Sequence, residues 1–228
     1  MENLKISNKG HAILFANRYF EFFTRSNPLV SWCMYLSVIW FFLYYSNSNY
    51  GMDYKIILFV FLMGLKFWSL FEYLIHRYVF HWVSNNPRVE KFTYLLHGNH
   101  HHFPKDKERL FMPPLPGLIM SMLVFLIMFV IAGKWAFAFF PGFILGHLLQ
   151  SSLHYAIHAR KPPFKCVKFL WRNHHLHHYS NEEKGFGITS PFWDYIFRTQ
   201  FDAGKYREDE AQVKSLMFDK KKHSSNAI

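Results

Sequence analysis

Residues 97–132 read HGNHHHFPKDKERLFMPPLPGLIMSMLVFLIMFVIA, a histidine-rich polar run that leads directly into a long apolar run. The apolar part, 115–132, contains no charged residue. Its length approaches the roughly 20 helical residues that cross the hydrocarbon core of a bilayer. Imidazole is the commonest metal ligand among protein side chains. This stretch therefore predicts a helix in a membrane, with metal chemistry at its edge.

Three further apolar runs of similar length occur in the 228-residue chain, at about 29–47, 54–75 and 135–153. Hydrophobic residues make up 51% of the sequence and aromatic residues 21%, with the polar residues gathered between the apolar runs. Short connectors join the first run to the second and the third to the fourth. The pattern predicts an all-α integral membrane protein with four transmembrane helices, arranged as two hairpins.

The basic residues predict the orientation of these helices. They are concentrated in the N-terminal segment, in the 76–113 loop and after residue 158, whereas the connectors 48–53 and 133–134 contain one lysine between them. Because cytoplasmic loops are enriched in Lys and Arg, both termini and the histidine-rich loops are expected in the cytoplasm. The same effect accounts for the net charge of +11 without a nucleic-acid partner. Two cysteines are too few for a disulfide framework.

Three regions are predicted along the chain. Residues 1–28 form an N-terminal amphipathic or interfacial segment, 29–200 form the membrane domain, and 201–228 form a polar tail. The sequence AILFANRYFEFFTRSNP (12–28) mixes aromatic and charged residues. It predicts either an amphipathic helix lying in the membrane interface or a leader that packs on the domain.

Histidine dominates the polar loops, since thirteen of the fifteen histidines lie between His76 and His178. They form four groups, HRYVFH (76–81), HGNHH (97–101), HYAIH (154–158) and HHLHH (174–178). On a helix, residues three and four apart share a face, so each HxxxH or HxxHH group is expected to direct its imidazoles at one metal. His76 and His81 are about 140° apart on a straight helix, so they bind different metals or the helix ends between them.

Ten candidate ligands are too many for one metal and suit two, with about five nitrogens each and an open position. A structural zinc site closes at four ligands, usually with cysteines. The scarcity of nearby carboxylates argues against the Glu-rich di-iron site of soluble bundles. An all-nitrogen dinuclear site beside lipid favours iron and oxygen chemistry on an apolar substrate. The ten candidates are His76, His81, His97, His100, His101, His154, His158, His174, His177 and His178.

Two carboxylates are candidates for holding a ring N–H of a ligand, as metal-bound histidines require. Glu72 lies one turn before His76, and its alternative partner is Arg77. Asp194 lies in SPFWDYIF, after the last histidine group. His102 and His175 are expected outside the metal sites, because each points away from its neighbouring candidate ligands on a helix.

These residues resemble the fatty acid hydroxylase family, within the membrane histidine-box hydroxylase and desaturase superfamily. The likeness includes FEYLIHRYVFH (71–81), YLLHGNHHHFPKDKERLFMPP (94–114), HYAIH (154–158) and KGFGITSPFWDYIFRT (184–199), and is nearest to the fatty acid 2-hydroxylases. The resemblance implies four transmembrane helices under a cytosolic helical cap that holds a dimetal centre. It also implies that the ten candidate histidines are the metal ligands.

For function, the resemblance implies an O2-dependent di-iron enzyme that hydroxylates fatty acyl chains at the 2-position, in free or sphingolipid-bound fatty acid. Two iron ions are the expected cofactors, with zinc possible in purified protein. Electrons are expected from a separate cytochrome- or ferredoxin-type protein, because the sequence has no fused haem-binding segment. The expected location is a bacterial inner membrane, or the endoplasmic reticulum in a eukaryote. Alternatives are a sterol or carotenoid hydroxylase or desaturase, and a non-catalytic metal-binding membrane protein.

Overall fold

The computed structural model describes residues 6–202, and every regular element in this part of the chain is helical. Most of the predicted 201–228 tail therefore lies outside the described residues. Two π-helical turns, His76–Phe80 and Tyr94–Gly98, interrupt the α-helical geometry. The α-helices are α1 Arg18–Phe22, α2 Pro28–Ser48, α3 Tyr54–Ile75, α4 Pro87–Thr93, α5 Asn99–His102, α6 Pro114–Ala132, α7 Ala136–Ala159, α8 Lys168–Tyr179 and α9 Phe192–Ile196.

Four of these helices, α2, α3, α6 and α7, correspond to the four apolar runs of the sequence. By length and composition, three stretches could cross a membrane: Pro28–Ser48, Tyr54–Phe80 and Lys107–Ala159. The third stretch is 53 residues long and contains both α6 and α7. These two helices are separated by the 3-10 turn Gly133–Trp135, where Gly133 takes a φ of 55° that favours glycine. The architecture of residues 6–202 is thus all-helical, with four long apolar helices.

Helices α3 and α7 pack closely on each other. A Cβ added to Gly142 of α7 would lie 1.9 Å from the carbonyl oxygen of Phe61, and one added to Gly64 of α3 would lie 2.1 Å from that of Phe139. Small residues allow such backbone contact between helices in an apolar surrounding. The contact fixes the two helices that continue into the HRYVFH and HYAIH groups.

The N-terminal segment differs from the amphipathic-helix prediction. Of residues 12–27, which precede α2, only Arg18–Phe22 are helical, and contacts with Glu108 and Arg109 hold the segment on the domain. Arg109 forms an ion pair with Glu21 and donates to the carbonyl oxygen of Ala12 at 2.7 Å. Because a backbone segment pinned by a distant guanidinium need not be helical, the long amphipathic helix is wrong. The contacts with Arg109 are those of a packed leader, while an interfacial position of residues 1–28 stays a prediction.

Candidate metal centre

All ten candidate histidines lie together where the long helices meet α5 and α8. They form two groups of five, and within each group one nitrogen from every imidazole lies within 4.8 Å of the others. Eight of the imidazoles are buried and two, His81 and His158, are half-buried. Group 1 consists of His76, His81, His97, His101 and His177. Group 2 consists of His100, His154, His158, His174 and His178.

The two HxxHH motifs are each divided between the groups, which corrects the expectation that each motif serves one metal. His97 and His101 join group 1 while His100 joins group 2. The HHLHH motif divides in the opposite sense, since His177 alone belongs to group 1. The physical reason is that adjacent helical residues project about 100° apart, so the third and fourth positions after a histidine face different sides.

His76 and His81 belong to the same group, so the idea that they bind different metals is wrong. The regular α-helix ends at Ile75, and the π-helical turn His76–Phe80 follows it. The N–H of His81 donates to the carbonyl oxygen of His76 at 3.2 Å, an i to i+5 bond typical of this geometry. The wider turn brings residues five apart to one side, which an α-helix would not do.

The spacing of the ring nitrogens fits metal coordination. In group 1, the Nε2 of His97 lies 3.0 Å from the Nε2 atoms of both His76 and His101. In group 2, the Nε2 of His174 lies 2.9 Å from that of His158 and 3.1 Å from that of His178. Two imidazole nitrogens bound at right angles, each about 2.1 Å from a metal, are about 3.0 Å apart. The donor set and its spacing therefore fit one cation in each group.

The imidazoles are held in the neutral form that metal binding requires. Burial lowers the pKa values of His97, His100 and His101 well below the ordinary range, and neighbouring histidines lower them further. Burial likewise lowers the pKa of His177, to about 4. Each neutral ring keeps one nitrogen lone pair free. Both groups consequently present lone pairs rather than charge at neutral pH.

Backbone carbonyls orient two rings of group 1. The Nδ1–H of His76 donates to the carbonyl oxygen of Phe186 at 2.6 Å, and that of His177 donates to the carbonyl oxygen of Lys184 at 2.7 Å. These contacts fix the tautomer, so that each Nε2 lone pair faces the group. The sequence carries no signal for them, because any residue type supplies a carbonyl.

Group 2 has fewer such partners. The Nδ1–H of His154 donates to the carbonyl oxygen of Leu110 at 3.2 Å, and its Nε2 is buried without a hydrogen-bond partner. The Nδ1 atoms of His100, His174 and His178 are also buried without a partner. The two groups therefore contain equal numbers of imidazoles but differ in the contacts behind them.

Glu72 and Asp194 lie close to the centre, but neither carboxylate accepts from a ligand ring, contrary to the prediction. The Glu72 carboxylate accepts from the N–H groups of Ile188 and Thr189 at 2.7 and 3.0 Å, and from the Thr189 hydroxyl at 2.6 Å. Its contacts in the described chain thus include neither the His76 ring nor Arg77. Asp194 accepts from the N–H groups of Phe186 and Gly187, both at 2.9 Å. Both carboxylates hold the segment that contains Phe186.

The remaining histidines near the centre stay outside both groups. His102 is half-buried, and its Nδ1 lies 3.3 Å from the hydroxyl of Tyr94. His175 is half-buried, with its ring centroid 6.0 Å from that of His158. His147 contacts Tyr35 and Trp68 edge-on within the helical bundle.

Comparisons with known proteins cover most of the chain. The sequence profile of the family described as fatty acid hydroxylase matches residues 61–199. The chain is 35% identical over 196 residues to the ceramide very long chain fatty acid hydroxylase SCS7 of Saccharomyces cerevisiae, covering 84% of this chain and 50% of that protein. It is 35% identical over 173 residues to the dihydroceramide fatty acyl 2-hydroxylase FAH1 of Arabidopsis thaliana, covering 75% of this chain and 69% of that protein.

A solved structure, full-length scs7p with only the hydroxylase domain visible, is similar in fold. The TM-score is 0.77 at 34% sequence identity, covering 85% of this chain and 74% of that chain. This chain spans half the length of the yeast relative. The likeness therefore concerns the part of these relatives that aligns with the helical bundle and the histidine groups.

Proposed function

The chain belongs to the fatty acid hydroxylase family, and on that premise we propose that it hydroxylates fatty acyl chains at the 2-position in a membrane. The substrate is a free or sphingolipid-bound fatty acid. The names of the two relatives support this substrate class, since one is a ceramide very long chain fatty acid hydroxylase and the other a dihydroceramide fatty acyl 2-hydroxylase.

The observation that carries the proposal is the pair of five-imidazole groups. Group 1 and group 2 each hold one iron ion, with zinc as a substitute in purified protein. Bound iron would supply the reductive activation of O2 that hydroxylation of an unactivated C–H bond needs. The proposed ligands are the ten histidines of the two groups, and no further catalytic side chain is assigned.

The chain's own residues position the substrate, exclude water from the centre and provide apolar surroundings. Burial of the imidazoles keeps water from the centre, and the carbonyl oxygens of Phe186 and Lys184 hold two rings in fixed orientations. The apolar bundle beneath the histidines offers a surrounding in which an acyl chain is stable. Holding one carbon of that chain against the centre is the protein's part in the reaction.

We further propose an integral membrane location with four crossings by α2, α3, α6 and α7, and with a cytosolic helical cap. The distribution of Lys and Arg supports termini and an active site on the cytoplasmic side. The membrane is a bacterial inner membrane, or the endoplasmic reticulum in a eukaryotic cell. Electrons come from a cytochrome- or ferredoxin-type protein on the same side, because reduction of O2 requires an electron source.

The function is tested by lipid mass spectrometry on cells that express the chain with a competent electron donor. We expect acyl chains that carry one added oxygen at the 2-position. His97→Ala removes a ligand of group 1 and should abolish this product, because the buried group has no substitute for the lost nitrogen. His102→Ala is the matched control, since His102 lies five residues away and outside both groups.

Each alternative function gives a different result in the same experiment. Oxygen added to sterols or carotenoids, with unchanged acyl chains, would indicate another branch of the superfamily. Two bound metals without any oxygenated lipid would indicate a non-catalytic metal-binding protein. Loss of product in His102→Ala to the same extent as in His97→Ala would contradict the assignment of the groups.

A further inference from the structure

One short segment provides both carbonyl contacts to the rings of group 1. Residues 184–189 (KGFGIT) follow α8, and two of their carbonyl oxygens, those of Lys184 and Phe186, accept from His177 and His76. His177 lies on α8 and His76 begins the π-helical turn after α3. The segment therefore connects two ligands that are 101 positions apart in the sequence.

Two buried carboxylates hold this segment through its backbone N–H groups. Asp194 uses both oxygens: Oδ1 accepts from the N–H of Phe186 and the hydroxyl of Thr199, and Oδ2 accepts from the N–H of Gly187. Glu72 holds the next two residues, since Oε1 accepts from the N–H groups of Ile188 and Thr189. Four successive N–H groups, 186–189, are thus bound by carboxylate oxygens.

Gly187 is needed for this arrangement. A Cβ at that position would lie 2.2 Å from the carbonyl oxygen of Ser190 and 2.8 Å from Oδ2 of Asp194. The backbone of the segment is therefore pressed against its supporting carboxylate. A side chain here would push the segment away from Asp194 and carry the Phe186 carbonyl with it.

Group 2 has no equivalent support among the described residues. Its one carbonyl contact, from His154 to Leu110, is 3.2 Å long, and three of its rings have a buried Nδ1 without a partner. Hydrogen-bond partners behind metal-bound histidines raise metal affinity about 10- to 100-fold. The inequality between the groups should therefore appear as unequal metal binding.

We propose that Glu72 and Asp194 are positioning residues that hold segment 184–189 as a template for His76 and His177, so that group 1 retains its metal more tightly than group 2. This proposal rests on the dimetal centre of the proposed function and adds an order to its two sites. The carboxylates act through the backbone and touch neither the metal nor the substrate.

Wild-type protein loaded with Zn2+ provides the first test. Mixed with a chromogenic chelator, it should release its two ions in two phases of one ion each. His154→Ala removes a ligand of group 2 and should leave only the slow phase, whereas His76→Ala should leave only the fast phase. Release of both ions in one phase, or the opposite assignment of phases, would overturn the proposal without reference to any carboxylate variant.

A matched pair of carboxylate variants provides the second test. In Asp194→Asn, one of the N–H groups of Phe186 and Gly187 must face an amide NH2, because the two N–H groups bind different oxygens. In Glu72→Gln, one amide oxygen can still accept from both Ile188 and Thr189, and the Thr189 hydroxyl can accept from the NH2. Both changes replace one oxygen of a buried carboxyl group by an amide NH2, but only the first must break a hydrogen bond to the segment.

We expect Asp194→Asn to accelerate the slow phase of zinc release by about 10- to 100-fold, and Glu72→Gln to leave it at the wild-type rate. An unchanged slow phase in Asp194→Asn contradicts the template role. Equal acceleration in both variants contradicts it as well, because replacement of a carboxyl group by an amide, rather than loss of a hydrogen bond to the segment, would then be responsible. A wild-type protein that binds no zinc would instead contradict the dimetal centre itself, so failure of the inference and failure of the proposed function are distinguishable.

Discussion

At the scale of single residues, the metal centre depends on closely spaced imidazoles that stay neutral. Ten rings share two small volumes, and six of them lie on or beside the short helices α5 and α8. Burial lowers the pKa values of this set, which comprises His97, His100, His101, His174, His177 and His178. Protons and metal ions compete for the same lone pairs, so acid opposes both folding and metal binding.

This competition predicts a pH dependence for the metal-free protein. In the unfolded chain the same histidines take up protons near pH 6.5, whereas in the folded state burial lowers the pKa of His177 to about 4. The unfolded state therefore binds more protons below about pH 6.5, and the free energy of unfolding falls by up to about 1.4 kcal/mol per pH unit for each such histidine. Above that pH the dependence disappears, because both states are neutral.

The measurement is thermal unfolding in detergent, followed by tryptophan fluorescence between about pH 8 and about pH 5. Metal-free protein should lose stability as the pH falls below about 6.5, and zinc-loaded protein should resist until a lower pH. A melting temperature that is constant or rises over this acid range would contradict neutral burial of the imidazoles.

The sequence identifies the ten histidines but not their partition. Spacing of three and four residues predicts that the motifs are helical, and the number of rings indicates two metals. The division of each HxxHH motif could not be predicted, because it depends on which neighbouring helix approaches each side. The carbonyl partners Lys184 and Phe186 could not be predicted either, since their hydrogen bonds involve only the backbone.

At the scale of elements, the contact between α3 and α7 determines where the HRYVFH (76–81) and HYAIH (154–158) motifs lie. Gly142→Ala should destabilise this contact, because the added Cβ would lie 1.9 Å from the Phe61 carbonyl oxygen and would push the helices apart. Overpacking of this kind costs about 1–3 kcal/mol. We expect a lower melting temperature and a lower zinc content, because His76 would move relative to the other rings of group 1 and His154 relative to those of group 2.

Val130→Ala is the matched control for this prediction. Val130 lies on α6 and is 84% exposed, so truncation there leaves no packed contact unfilled. Equal effects of the two substitutions on melting temperature and zinc content would show that close packing of α3 on α7 is not what supports the centre.

The elements themselves were predicted with uneven success, for physical reasons. The four apolar runs match α2, α3, α6 and α7 within a few residues, except that α7 continues to Ala159. The π-helical turns were not predicted, because one extra residue in a turn leaves no mark on hydrophobic periodicity. The N-terminal helix was predicted wrongly, because the Arg109 that pins Glu21 lies 88 residues away.

At the scale of the whole molecule, the two cysteines offer a test of orientation. Both are exposed: Cys33 lies on α2, and Cys166 lies in the 3-10 turn before α8. With a cytoplasmic cap, a charged maleimide added to intact cells should label neither. Inside-out vesicles should be labelled at Cys166 alone, because a thiol surrounded by lipid does not form the reactive thiolate.

Cys166→Ser serves as the control and should remove the label from inside-out vesicles. Labelling of Cys166 in intact cells would place the cap on the outer side. Labelling of Cys33 by the charged reagent would show that α2 does not lie against lipid at that position.

The division of the histidines between the groups also sets an order of events during synthesis. By residue 101 the growing chain already contains four of the five imidazoles of group 1, but only His100 of group 2. Because chains fold from the N-terminus as they emerge, the first site can begin to capture a cation while α7 is still unmade. The second site must wait for residues 154–178. His177 then completes group 1 while α8 supplies His174 and His178 to group 2, so the direction of synthesis favours filling of group 1 before group 2.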